Sequence, residues 1–284
     1  MNCLLARATA AALGAGATVA ARRLLDRRPP GRPGAWTRTN HAGDPVSLLG
    51  GLAVGAAATA LGPLLAAATP LGPRVALAAG VAGGAATVAG VLDDHGEDLT
   101  GVPTGRAKGL KGHLGALARG EVTTGAVKIA VVGAGAAGAA ALLPGPRPVL
   151  GRLADAALVA GCANLANLFD LRPGRALKVA GLALAPAALA GPDQRAALAA
   201  GSLGVVGAAL PADLAARDML GDTGANPLGA LVGVVLAADG SAVRRTVALG
   251  GVVALTLASE RISFTSVIDS VPVLRAIDRA GRAA

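Results

Sequence analysis

The sequence predicts an all-α fold, a polytopic membrane bundle of about nine to ten transmembrane helices, as a single domain over residues 1–284. Three observations predict it. The chain is 53% hydrophobic and only 15% charged, with a mean hydropathy of +0.59, a balance unlike that of a soluble domain. Charge-free runs at 45–73, 75–92, 129–146 and 196–212 each reach 17 residues or more, long enough for a helix to cross a bilayer. These runs also lack the polar stripe at every third or fourth position that a surface helix of a soluble protein carries.

Composition narrows the partners. A net charge of +9 and the 26 Lys and Arg behind it raise nucleic acid as a partner, but the chain has no Tyr, two Phe and one Trp. A stacking platform for bases cannot be built from that, so nucleic acid is excluded. The interfacial aromatic belt is missing too, and charged residues must set helix depth. Cys3 and Cys162 offer neither a disulfide framework nor a zinc spacing.

In chain order, residues 1–21 are apolar with one Arg, and Arg22-Arg23-Leu-Leu-Asp-Arg27-Arg28 follows. Positive charge after the apolar stretch reads as a first span with its N-terminus outside, not a cleaved signal peptide. The apolar runs give nine spans, 3–21, 46–66, 74–92, 124–143, 149–169, 176–190, 195–211, 224–238 and 243–259. The gaps 22–45, 93–123, 170–175 and 212–223 then share one side with the tail 260–284. Of the 26 Lys and Arg, 17 lie in that set. The short gaps opposite are flanked by Arg74, Arg147, Arg152, Arg195, Arg244 and Arg245. The positive-inside rule places the first set in the cytoplasm, and so predicts a multi-pass plasma-membrane protein. The carboxylate clusters fall on the same face. Small-residue spacing, as at Gly133, Gly135 and Gly138, permits close helix packing but carries no functional conclusion.

The chain is organised around Gly90-Val-Leu-Asp93-Asp94-His95-Gly96-Glu97-Asp98. Four carboxylates stand where a spanning helix emerges, and a helix C-terminus repels them. Something cationic must offset them, and Mg²⁺ carrying phosphates is the expected counter-charge. A basic cluster follows, with Arg106, Lys108, Lys111, His113, Arg119 and Lys128. For Glu97, Asp98 and Lys111 a solvated loop explains the residues as well. The second polar segment is Asn164-Leu-Ala-Asn167-Leu-Phe-Asp170-Leu-Arg172-Pro-Gly-Arg175. Its i, i+3, i+6 spacing sets Asn164, Asn167 and Asp170 on one helical face. Interhelical hydrogen bonding is the competing explanation for the amides, and positive-inside anchoring for Arg172 and Arg175. The third segment is Gly221-Asp222-Thr223-Gly224-Ala-Asn226-Pro227. Here Pro227 suits a first helical turn, with Asp222 or Thr223 as its cap.

Asp93-Asp94, the Asn-x-x-Asn-x-x-Asp run ending at Asp170, and Gly221-Asp222-Thr-Gly, in this order and on one face, resemble the polyprenyl-phosphate N-acetylhexosamine-1-phosphate transferases. That superfamily includes phospho-N-acetylmuramoyl-pentapeptide transferase, and the resemblance runs from about Gly50 to Gly233, as to a divergent bacterial branch. It implies Mg²⁺-dependent transfer of a sugar-1-phosphate from a UDP-sugar to a membrane polyprenyl phosphate, with release of UMP, in cell-wall biosynthesis. It also implies roles. Asp222 matches the metal-binding aspartate, and Asp93, Asp94 and Asp170 match catalytic aspartates. Lys108, Asn164, Asn167, Arg172 and Arg175 fall among the groups around the substrate phosphates, and a homodimer is the implied assembly. Three departures stand out, one being that nine spans are placed where the superfamily commonly has more. The pattern Asp-Gly-x-Asp-Gly is replaced by Asp170-Leu-Arg-Pro173-Gly174, and the His-rich loop is absent, the three histidines being His41, His95 and His113. They favour, as the alternative, a catalytically inactive relative that binds polyprenyl phosphate or nucleotide in a cell-envelope assembly. A small transporter would instead place charges near the bilayer centre.

Overall fold

Long stretches of Ala, Leu, Val and Gly offer no side chain that competes for their own backbone. Helix formation is then the local way to pair each N–H and C=O. The computed structural model describes residues 2–32, 34–40, 43–100, 124–190 and 193–282. Among them it forms, in order, α1 (Cys3–Arg27), β1 (Thr37–Thr39), β2 (Pro45–Ser47), α2 (Leu49–Ala68), α3 (Pro73–Thr100), α4 (Thr124–Leu142), α5 (Val149–Phe169), α6 (Arg175–Ala190), α7 (Asp193–Leu214), α8 (Gly221–Ala237), α9 (Ala242–Ser259), α10 (Phe264–Ser270) and α11 (Pro272–Arg279).

Helices α1 to α9 coincide with the nine predicted spans. By length and composition seven of them can cross a membrane. The other two, α6 and α8, are 16 and 17 residues long. Helix α8 has a physical reason for its shortness. Beyond its first turn it is apolar on every side except at Asn226, and it is buried along nearly its whole length. Packed against α2, α3 and α5, it leaves almost no exposed surface of its own. Around it, α1 leans on α7 and α2, while α9 packs chiefly on α5 and is the most exposed of the set.

Two loop expectations change. Helix α3 continues past residue 92 to Thr100, so Asp93 and Asp94 lie within a helix and do not open a loop. The predicted loop 22–45 contains a small antiparallel hairpin, Thr37 opposite Ser47 and Thr39 opposite Pro45. So short a ribbon needs outside support. Met219 N–H donates to Ser47 O, Leu48 N–H to Trp36 O, and Trp36 packs its ring on His95 at 4.2 Å.

The two ends of the bundle differ in charge chemistry. At one end, segments of the first set touch one another. Arg22 grips Asp218 through two hydrogen bonds of 3.0 and 2.8 Å, Arg38 donates to Asp94 O at 2.7 Å, and Asp213 accepts from Gly174 N–H. At the other end, Asp155 and Asp239 are 1% and 3% exposed. Arg147 and Arg245 pair with Asp155, and Arg195 and Arg244 with Asp239. These are single acids, outside the carboxylate clusters expected on the other face. Isolated acids among arginines leave no cluster in the sequence, yet each buried carboxylate must be paired.

Glycines set the closest crossings. A Cβ on Gly90 of α3 would lie 2.3 Å from Asp222 O of α8, and one on Gly135 of α4 would lie 2.2 Å from Ala85 Cβ. Gly133, one residue pair away on α4, has nothing within 4 Å. Gly90→Ala is therefore expected to cost about 1–3 kcal/mol by forcing α3 from α8, and Gly133→Ala to stabilise by about 0.4–1 kcal/mol, since Ala is the better helix former and meets open space. Unfolding of both variants in mixed detergent checks the contrast; equal stabilities would contradict the crossing.

Candidate active site at the N-terminus of α8

The first N–H groups of a helix lack intrahelical acceptors. Gly221 opens α8 at φ 55°, a left-handed conformation that suits glycine. Two other helices supply the missing acceptors. Asp94 of α3 takes Thr223 N–H at 2.9 Å and Thr223 Oγ1 at 2.6 Å through Oδ2, with Asp222 N–H at 3.4 Å from Oδ1. Asp170, the C-cap residue of α5, accepts from Gly221 N–H. The cap expected of Asp222 or Thr223 thus comes from α3. Because Asp94 reaches in from outside, the helix starts at Gly221 and Pro227 lies inside it.

With Asp94 committed to the helix end, Asp93 and Asp222 turn toward Lys128 of α4. The Lys128 ammonium lies 3.0 Å from Asp93 Oδ2 and in direct contact with Asp222 Oδ2. Asn167 Nδ2 donates to the same Asp222 oxygen at 3.2 Å, and Asn226 Nδ2, one turn along α8, at 3.4 Å. Of the predicted residues, then, Asp93, Asp94, Asn167, Asp170 and Asp222 meet at one place. Asn164 is exposed one turn before Asn167, and Arg172 is exposed just beyond Asp170. Lys108 lies outside the described residues.

Arg175 faces elsewhere than expected. Its guanidinium is 2% exposed and forks onto Asp278 of α11, Nε to Oδ1 at 2.8 Å and Nη2 to Oδ2 at 3.1 Å, with Nη1 on Thr265 Oγ1. A buried guanidinium needs a buried counter-ion, and the C-terminal tail provides it. Lys178 adds three hydrogen bonds to the carbonyls of Ile277, Asp278 and Ala280, Arg282 Nε donates to Pro173 O, and Phe169 stacks on Phe264 at 4.6 Å. Burial alone would raise the Asp278 carboxyl, but Arg175 and Arg282 hold it below the usual carboxylate range.

Lys128 and Asn226 escaped the sequence reading as site residues. The signals existed: a lysine a few residues into an apolar helix is expensive unless paired, and Asn226 stands four residues from Asp222 on one helix.

Charge at the site is unbalanced. Asp93 and Asp222 face one ammonium, Lys128, the sole cation in salt-bridge contact with them among the described residues, while Asp94 spends its charge on the end of α8. Asp170 adds a fourth carboxyl. Burial pushes it up to about 8, with help from the nearby Asp213 and Asp94 and against the Gly221 N–H. At neutral pH it therefore carries a proton. Among the described residues no group of three or more His, Cys, Asp or Glu is placed to hold a metal ion. Mg²⁺ does not need one, because it binds through one or two carboxylates and completes its shell with phosphates and waters. Asp93 Oδ2 and Asp222 Oδ2, already sharing one cation between them, are the donors that fit it.

Burial pushes the Asp170 carboxyl up to about 8 from an ordinary 3.8. Between those values the folded state binds one proton more than the unfolded state. Stability from this group is thus lost as pH rises through the window. Asp170→Asn removes that loss, so its melting temperature should exceed the parent's by a margin that widens from about pH 5 to about pH 9. Thermal melts in detergent check this, and a constant margin would contradict it. Asp278→Asn strands Arg175 and should cost roughly 3 kcal/mol, whereas Arg175→Met with Asp278→Leu should recover most of it; denaturant unfolding distinguishes the two. No protein-family model, curated protein or solved structure matches the chain, so residues and geometry alone carry a functional argument.

Proposed function

We propose that this chain transfers a sugar-1-phosphate from a UDP-N-acetylhexosamine-type donor to a membrane polyprenyl phosphate, releasing UMP, at the cytoplasmic face of the plasma membrane. The observation that carries the proposal is the shared cation position between Asp93 and Asp222 beside the N-terminus of α8. Acids from segments far apart in sequence meet there, matching in order the motifs of the transferase superfamily. The Lys and Arg excess of the segments at this end supports its cytoplasmic orientation.

The reaction asks little covalent work of the protein. An oxygen of the lipid phosphate attacks the phosphorus that bears the sugar. The bond from that phosphorus to the bridging oxygen breaks, and UMP leaves with that oxygen and its electron pair. Asp93 and Asp222 would hold Mg²⁺, which would supply neutralisation of the diphosphate charge. Lys128 offsets charge on the phosphate oxygens, and Asn167 and Asn226 fix the Asp222 carboxylate by its Oδ2. Asp94 acts as a positioning residue, holding the first turn of α8. Asp170, protonated at neutral pH, holds or moves a proton beside the attacking phosphate.

A second reading, a non-catalytic relative that binds the same ligands, draws on Pro173 in place of an aspartate and on Arg175 facing the tail. One assay separates them: UMP release by purified protein in detergent with Mg²⁺, a polyprenyl phosphate and a panel of UDP-sugars. Transferase activity requires all three components, and Asp93→Asn or Asp222→Asn should lower kcat by about 100-fold or more. Silence across the panel from folded protein that still binds a UDP-sugar in Mg²⁺ would establish the second reading.

A further inference from the structure

The tail beyond α9 presents an apolar face that the described residues leave uncovered. At 100° per residue, Val273, Leu274 and Ile277 share one side of α11, next to the docked Asp278, and Arg275 and Arg279 share the opposite side. Val273, Leu274 and Ile277 are 68%, 42% and 44% exposed. Ile262, Val267 and Val271 extend the exposed apolar surface back toward α9. Scattered exposed apolar residues are ordinary, but a contiguous strip on a docked helix marks a contact surface.

We propose that α10 and α11 lie in the cytoplasmic membrane–water interface. The face of Val273, Leu274 and Ile277 enters the acyl boundary of an anionic leaflet, with Arg261, Arg275 and Arg279 near the lipid phosphates. The proposal rests on the membrane-embedded reading above. Two observations select lipid as the occupant. The strip begins at Ile262, three residues after the spanning helix α9 ends at Ser259, so it starts at the level where that helix leaves the bilayer. The charge pattern also fits, because Asp278 is already taken by Arg175 and Arg282. That leaves Arg275 and Arg279 as the exposed charges of α11, the pattern of an interfacial amphipathic helix on an anionic surface. The strap cannot swing away freely: Phe264 at one end stacks on Phe169, and Asp278 at the other holds Arg175. The segment from Phe169 to Arg175, which includes Asp170, is thereby tied to the bilayer surface, where a lipid phosphate is presented.

Full-length protein in nanodiscs containing phosphatidylglycerol, with single nitroxide labels in a Cys3→Ser background, tests this. Labels replace Val273, Ile277, Arg275, Arg279 and, as a reference on exposed α9, Leu257 (64% exposed). The ratio of oxygen to nickel-chelate accessibility should be severalfold higher at 273 and 277 than at 275 and 279, and should fall severalfold at 273 and 277 in purely zwitterionic nanodiscs. Equal ratios at the four tail positions, or spin–spin broadening at 273 and 277 from a second copy, would overturn the proposal. So would indifference to anionic lipid. The reference separates the two failures: an oxygen-rich signal at 257 keeps the membrane reading when the tail proposal falls, and a nickel-rich signal there removes both.

Discussion

The interaction on which the rest depends is the capping of α8 by Asp94. A central apolar helix leaves its first amide groups without partners, and in a low-dielectric bundle each unpaired donor costs several kcal/mol. Asp94 satisfies two backbone N–H groups and the Thr223 hydroxyl at once, and Asp170 satisfies Gly221. Once the helix end is fixed, Asp222 in its first turn points toward α4, and Asp93, one residue before the cap, faces the same ammonium. Two neighbouring aspartates thus take different tasks, one structural and one at the shared cation. Gly90 permits this, since only a residue without Cβ lets α3 approach the Asp222 carbonyl.

Buried charge is handled differently at the two ends. Opposite the site, Asp155 and Asp239 are paired by arginines that reach across from neighbouring elements, and Arg152 donates to the last carbonyls of α4. At the site end, among the described residues, Asp93 and Asp222 share one ammonium, Lys128, and burial pushes the Asp170 carboxyl up to about 8. An electrostatic deficit kept in place by packing is costly to the resting protein and useful to one that takes up a cation and phosphates.

The nine long helices were legible because apolar runs flanked by charge mark helix ends through solvation alone. The site was half legible. Asn167 and Asp170 follow from helical periodicity, and Asp222 from a glycine-flanked turn, but no local pattern says that Asp94 caps a helix 128 residues later. The hairpin at Thr37–Ser47 was hidden because its strands are too short to show alternation and rely on Met219 and Leu48 for support. Arg175 illustrates the converse error. The resemblance implies a phosphate-binding arginine, whereas its partner Asp278 lies about a hundred residues further on, in a tail whose docking is purely tertiary.

The central claim is that Asp94 and Thr223 are energetically one unit at the N-terminus of α8. A double-mutant cycle of Asp94→Asn and Thr223→Val, read by reversible unfolding in mixed detergent, measures it most directly. The account predicts a coupling energy of about 1–3 kcal/mol, because the Thr223 hydroxyl donates to the Asp94 carboxylate and each substitution removes one side of that charge-assisted bond. Additive effects, within about 0.3–0.5 kcal/mol, would mean that Asp94 and the Thr223 hydroxyl are not one energetic unit, which contradicts the claim.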